Sequence, residues 1–388
     1  MDFQFTEEQN RFRQELRDFF QNEPRGKRVD WEIEENYSPE FYKKLAVKRW
    51  IGLHWPVEYG GQGRDWVDLA IFHEEMASSG APYGPALYAT TVGTFGDLCV
   101  SYGTEQQKKE FLPRIARGEI RVARGFTEPD AGHDLAAIAT RAAAEGDDFI
   151  INGQKMFITG AHIADYIFLM ARTGPNIPKE EGLTFYMVDL KTPGITLRPL
   201  WTVAGFRTNE VFLQEVRVPK WNMIGEQNKG WHYLNRDPYF RYVMILGGAL
   251  GELRRLLEIV VWSFMEANKD MQPPSKKELL RHRLAEIAIE IEILQLMTYH
   301  IASLRSKGIT ADYQLYMLKL WEGERWQRIA NVAMQIPGLH AQLARGSKHA
   351  VLRGMTESIY RGSVLMHLPG SSNTLKNGIA ARGLGLTG

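Results

Sequence analysis

The sequence has a single cysteine, Cys99, among 388 residues. One thiol closes no internal disulfide and builds no thiolate metal site. An excess of charge of one sign is also missing: 47 basic side chains face 46 acidic ones, a formal net charge of +1. That balance argues against nucleic acid as a partner, because such binding draws on clustered positive charge. No apolar run approaches the ~20 residues that span a bilayer. The start, Met1-Asp2-Phe3-Gln4-Phe5, has neither the basic stretch nor the apolar core of a secretion signal. Internal repeats, low-complexity tracts, a Walker-type loop, a nucleophile elbow and histidine pairs at zinc spacing are lacking too, so no metal is expected. What remains is an ordinary soluble composition, 44% hydrophobic and 24% charged. It fits a cytoplasmic protein long enough for two or three domains.

The pattern changes twice along the chain. Thr6 followed by Gln9 predicts a capping box, after which Phe12, Leu16, Phe19 and Phe20 share a helical face. Residues 40–50, 67–78 and 105–117 repeat the amphipathic pattern. Gly60-Gly61-Gln62-Gly63 lacks a preceding strand and a Lys-Ser/Thr ending, so it reads as a loop and not a phosphate cradle. Near residue 120 the period shortens towards 2. Asp148-Phe149-Ile150-Ile151, a turn at Asn152-Gly153 and Lys155–Thr159 predict a strand–hairpin–strand. Residues 165–172, 183–190 and 211–218 are further strand candidates. From Trp231 helices return, over 243–266, 276–306 and 312–335. Gly247, Gly248 and Gly251 lie inside the first of these, which points to close helix packing or a passing ligand. Three domains follow: helical over 1–119, an all-β sandwich or barrel over 120–229, helical over 230–388.

Two segments of the β region carry chemistry. Phe126-Thr127-Glu128-Pro129-Asp130-Ala131-Gly132-His133-Asp134 offers a hydroxyl, main-chain N–H groups and a glycine permitting close ligand approach. Lys155-Met156-Phe157-Ile158-Thr159-Gly160 places an aromatic and a hydroxyl two apart, on one face of the expected strand. Singly, each reads as a turn or a half-buried strand. Together they suit a planar heterocycle.

Over essentially its whole length the chain resembles the acyl-CoA dehydrogenase family. The resemblance is carried by Trp55-Pro56-Val57-Glu58-Tyr59-Gly60-Gly61, Gly103-Thr104-Glu105-Gln106-Gln107-Lys108, Thr127-Glu128-Pro129 and Phe157-Ile158-Thr159. Val216-Arg217-Val218-Pro219, Ile224-Gly225, Leu284-Ala285-Glu286 and Gly383-Leu384-Gly385-Leu386 add to it, in family order. It implies an α+β fold with an N-terminal helical domain, a middle β-barrel and a C-terminal four-helix bundle, with FAD between barrel and bundle. It implies removal of a proton from the α-carbon and a hydride from the β-carbon of an acyl-CoA thioester. An electron-transfer flavoprotein or similar acceptor and a dimeric or tetrameric assembly follow from the same resemblance. Phe126, Thr127, Gly132 and His133 resemble flavin-loop positions; Phe157 resembles the aromatic packing on the isoalloxazine, followed by Ile158 and by Thr159 as a hydroxyl near flavin N5. Gln335, Gly338 and Ser371 complete the cofactor positions, and His133, Arg241 and Gly370 fall at substrate positions. His133 stands where the family usually has serine.

The departures are as specific. The family's base is a glutamate in a Tyr-Glu-Gly-Thr-Ser-Glu segment; here that stretch is Leu368-Pro369-Gly370-Ser371-Ser372-Asn373, with Pro369 at the base position. Proline supplies neither the carboxylate nor the backbone N–H that bonds the thioester oxygen. Other members place the glutamate before an arginine resembling Arg241, where this chain has Phe240. Asp237, four residues before Arg241, and His367 are the remaining candidate bases. The family's Arg-x-x-Phe-Gly, which reaches a neighbour's FAD, is replaced around Met271-Gln272-Pro273-Pro274-Ser275-Lys276. Its Gln-x-x-Gly-Gly survives as Gln335-Ile336-Pro337-Gly338-Leu339.

Three readings stay open. One is a dehydrogenase acting on a cyclic or bulky acyl-CoA, as one subunit of a homo- or hetero-oligomer sharing its flavin site. This kind of unequal pairing is known from steroid-degrading members. The others are a non-catalytic structural subunit and a flavin monooxygenase of the same fold.

Overall fold

Thr6 opens the first helix, α1 (Glu7–Asn22), with the expected capping box: Gln9 N–H donates to Thr6 Oγ1 (3.2 Å) and Thr6 N–H to Gln9 Oε1 (3.0 Å). The computed structural model describes residues 4–23, 37–174, 178–243, 245–267, 274–368 and 370–386. Of the positions singled out above, Met1 to Phe3, Met271 to Pro273 and Pro369 lie outside these, as does the side chain of His367. Phe12, Leu16 and Phe20 are buried against α2 (Pro39–Val47) and α3 (Trp66–Ser79), with Phe19 partly buried beside them. Next, α4 (Pro85–Tyr88) and α5 (Asp97–Tyr102) are joined by a buried π-helical stretch, Ala89–Gly96. A second Thr–Gln capping box starts α6 (Glu105–Ala116). Its Gln107 amide also donates to Trp221 O (2.5 Å) and Met223 O (2.8 Å), which ties the helical part to the sheet.

The strands are β1 (Val122–Gly125), β2 (Arg141–Glu145), β3 (Asp148–Lys155), β4 (Tyr166–Arg172), β5 (Leu183–Asp189), β6 (Ile195–Trp201), β7 (Arg207–Pro219) and β8 (Met223–Ile224). They form one sheet in the order β6-β7-β3-β2-β4-β5-β8, with β1 parallel to β4. Period-2 alternation sends Ile167, Leu169 and Ala171 into a core within the β domain. Phe168 and Met170 go to the core shared with the helices. Both faces of β4 are therefore buried, which is why it reads as an unbroken apolar run.

The expected hairpin at Asn152-Gly153 is corrected. β3 runs straight through these residues and pairs with β7 on both sides of a bulge between Ile151 and Gly153. A side chain at Gly153 would collide with Thr140, its Cβ lying 2.5 Å from Oγ1. The glycine is there for packing, and not for a turn.

After α7 (Gly230–Arg236) comes a second π-helical stretch, Tyr239–Val243, which touches the first. The long helices are α8 (Gly248–Ala267), α9 (Pro274–Ser306) and α10 (Asp312–Gln335), followed by α11 (Met355–Ser363) and α12 (Ser372–Gly383). α8 starts later than the pattern suggested because Gly247 adopts φ +96°. The close-packing reading of these glycines holds: a Cβ would lie 2.4 Å from Ala70 O at Gly247 and 2.2 Å from Glu74 O at Gly251. α8 thus rides directly on α3. By length and composition α9 is apolar enough to cross a membrane, contrary to the expectation that no segment is. Its Leu284, Ile287, Ile291 and Leu294 are nevertheless buried in the helical core, and Glu290 on it pairs with Arg325 and Arg328. It packs as a core helix.

Candidate functional site

The loop after β1 is held by two charged residues, each within a segment singled out above but given no role of its own there. Lys155, at the end of β3, is fully buried, and its ammonium donates to Glu128 Oε1 (2.8 Å), Phe126 O (3.1 Å) and Met170 O (2.7 Å). Glu128 also accepts from the N–H groups of Ala139 (2.7 Å) and Thr140 (3.0 Å). All three ammonium protons and both carboxylate oxygens are used, so the buried pair meets the condition under which burying charge is tolerable. Burial pulls the Lys155 ammonium down to about 8 against the pull of Glu128. Burial also opposes ionisation of Glu128, but Lys155 and the N–H donors outweigh it and hold the carboxyl below its usual range. Above the pair, Glu128 and Ala131 exchange backbone hydrogen bonds (3.0 and 3.2 Å) around Pro129-Asp130. That tight turn presents Gly132 and His133 to solvent.

The predicted positions separate into two groups. Phe126 is 4% exposed and stacks on Phe185 (centroids 5.5 Å apart), so its ring belongs to the core, and its carbonyl is taken by Lys155. Ile158 is likewise buried; its N–H donates to Asn209 O (2.8 Å) and its carbonyl accepts from Asn209 Nδ2 (3.0 Å). Thr127, Gly132, His133, Phe157 and Thr159 stay accessible. The Thr127 and Thr159 hydroxyls are half-buried with no hydrogen-bond partner among the described residues. A Cβ on Gly132 would meet nothing within 4 Å.

Phe157 needed correction and gained weight. It does not share a strand face with Thr159, because β3 ends at Lys155 and Phe157 has φ +58°. A bulky residue in the left-handed region is an outlier costing roughly 1–2 kcal/mol. Here the ring is also 53% exposed, so burial of the aromatic does not offset that strain. A strained, exposed aromatic beside two unpartnered hydroxyls and an open glycine fits a planar, hydrogen-bonding heterocycle. The sheet half of the chain is therefore compatible with the isoalloxazine of FAD.

Across from the loop, Arg241 in the second π-helical stretch donates from Nη2 to His133 O (3.0 Å). Its guanidinium lies 5.2 Å from the Trp231 and Tyr242 ring centroids. The structure thus brings His133 and Arg241 together, but through the histidine carbonyl and not the imidazole. Gly370, at φ +94°, seats against Tyr242; a Cβ there would lie 2.8 Å from Tyr242 Cε1. Ser371 caps α12, its Oγ accepting from Thr374 N–H (3.2 Å). Phe240 is buried in the helical core. Asp237 is engaged on both oxygens, by Arg305 Nη1 (2.8 Å) and by Tyr239 N–H (3.0 Å). That is a capping and ion-pair role. Gln335 lies exposed at the end of α10, where it accepts from Arg283, and Gly338 follows at φ +62°.

Comparison with known proteins agrees with this geometry. Three family models match in succession: the acyl-CoA dehydrogenase N-terminal domain over residues 6–119, middle domain over 123–217 and C-terminal domain over 228–384. The acyl-CoA dehydrogenase FadE26 of Mycobacterium tuberculosis is 31% identical, the alignment covering 99% of each chain. Among solved structures, the Tcur3481-Tcur3483 steroid ACAD superposes with a TM-score of 0.87 at 30% identity, over 100% of both chains. The ChsE4-ChsE5 complex from Mycobacterium tuberculosis gives 0.84 at 29% identity, again over 100% of both. This chain belongs to the acyl-CoA dehydrogenase family of FAD-dependent oxidoreductases.

Proposed function

We propose that this protein is the flavin-holding subunit of an acyl-CoA dehydrogenase assembly that oxidises a bulky or cyclic acyl thioester. The observation that carries the reading is Phe157, strained and exposed beside the free hydroxyls of Thr127 and Thr159. Phe157 would hold the ring face, the two threonines and the main chain around Gly132 would supply hydrogen bonds, and Arg241 with Gly370 and Ser371 would receive the thioester end. When bound, FAD supplies the acceptor for the hydride leaving the β-carbon. No carboxylate stands at either family base position, Pro369 or Phe240, so proton removal falls to a group outside those two positions or to a partner subunit. The similar Tcur3481-Tcur3483 steroid ACAD and ChsE4-ChsE5 complex each pair two differently named chains, which supports pairing with a non-identical subunit. So does the apolar area left exposed at Trp262 and Met265 on α8 and at Ile289 and Leu296 on α9. The steroid substrate named for one of them supports a bulky acyl group here.

The test is anaerobic mixing of the purified assembly with a panel of acyl-CoAs, including polycyclic ones. Loss of flavin absorbance with a bulky thioester is expected. A tightly held FAD that no thioester bleaches would overturn the dehydrogenase reading. It would leave the non-catalytic subunit, which the engagement of both Asp237 oxygens favours.

A further inference from the structure

The 3-10 turn Val364–His367, which leads into the proposed thioester end at Gly370, is tied to the bundle in part by a buried charge. Lys319 on α10 is 6% exposed. Its ammonium donates to Glu322 Oε1 one helical turn on (2.7 Å) and to the carbonyl of Met366 (3.1 Å). Met366 lies in the 3-10 turn Val364–His367, which ends with Leu368 N–H donating to Leu365 O (2.9 Å). Two residues further, Gly370 rests on Tyr242, beside Arg241. A surface lysine would hold such a carbonyl weakly, in competition with water. A buried ammonium that has surrendered its hydration holds it much harder, since losing the acceptor leaves an unsatisfied charged donor. Glu322, itself buried, supplies the countercharge that keeps the ammonium there.

We propose that Lys319 is a positioning residue: through the Met366 carbonyl it fixes the turn Val364–His367 and so sets Gly370 against Tyr242, in the crevice that would receive the acyl thioester. The inference rests on the proposed function for the identity of the ligand, though not for the mechanical tie. Lys319 bonds Glu322 and the Met366 carbonyl, and its role is to fix that backbone. Glu322 serves it. A hydrophobic pair at these two positions would pack but would leave Met366 O without its donor.

The test compares the wild-type assembly with K319M, K319R and the double variant K319M/E322M. The double variant leaves no buried charge unpaired and so protects against simple misfolding. Amide hydrogen exchange is read over residues 364–371 and, as a control, over β3. Exchange in 364–371 is expected to quicken about tenfold in K319M/E322M, with β3 unchanged and K319R near wild type. Binding of acetoacetyl-CoA is expected to weaken about tenfold in the same double variant, with FAD content unchanged. Native protection of 364–371 in K319M/E322M would overturn the proposal. If the wild-type assembly binds neither acetoacetyl-CoA nor a polycyclic acyl-CoA, the proposed function fails, and the exchange result alone decides the role of Lys319.

Discussion

The Lys155 ammonium, 2.8 Å from Glu128 Oε1, also bonds the carbonyls of Phe126 and Met170, so one buried cation joins the loop after β1 to strands β3 and β4. Glu128 returns the contact through the N–H groups of Ala139 and Thr140. The loop after β1 is thereby anchored at both ends by one buried ion pair.

Breaking that pair on one side leaves a buried carboxylate uncompensated. Lys155→Met is expected to lower stability by about 3–5 kcal/mol in urea unfolding. Adding Glu128→Gln should recover part of the loss, because the neutral amide costs less to bury. A double variant no more stable than K155M would contradict the pairing.

Phe157→Gly separates strain from ligand contact. Glycine adopts φ +58° without cost, so unfolding free energy should stay level or rise by up to about 1 kcal/mol. FAD affinity should fall by tenfold or more, since the stacking face is gone. A destabilised variant that binds FAD normally would remove Phe157 from the site.

Glu252 gives a pH signature. Burial pushes its carboxyl up to about 7 from an ordinary value of 4.5, with the Tyr83 hydroxyl donating to it at 3.2 Å. Between these values the native state keeps a proton that the unfolded chain releases, so its contribution is full below about 4.5 and lost as pH rises through about 7. Glu252→Gln should therefore be more stable than wild type above pH 7, the gap closing as pH falls towards 4.5. Thermal unfolding across that range checks it.

Cys99 is fully buried, and burial pushes its thiol to about 12. It should resist a thiol reagent at neutral pH in the folded protein and react fully once urea unfolds it. Rapid labelling of the native chain would contradict the packing around α5.

The legible parts of this protein were those where a local pattern and the tertiary outcome agree. α10 runs over Asp312–Gln335, as its periodicity indicates, and α1 begins at the capping box that Thr6 and Gln9 announce. Asn152-Gly153 misled because the dipeptide is a hairpin signal in isolation, whereas the thirteen residues of β7 give β3 a partner on both sides of it. The burial and pairing of Lys155 were not legible for a different reason. Lysine reads as solvent-facing, and its partner lies 27 positions away. The signal that was available is the period-2 alternation of β3, which puts Lys155 on the same face as the buried Phe149 and Ile151. Asp237 shows the reverse: the one-turn spacing to Arg241 that suggested a base gives no sign that its oxygens are engaged by Arg305 and the Tyr239 N–H.

The most direct test of the account is flavin content. The assembly isolated through this chain, incubated with FAD and gel-filtered, should carry a visible flavin spectrum, and the same preparation bearing Phe157→Gly should lose most of it. A colourless wild-type assembly, or one whose flavin is indifferent to Phe157, would contradict the claim that this chain holds the cofactor.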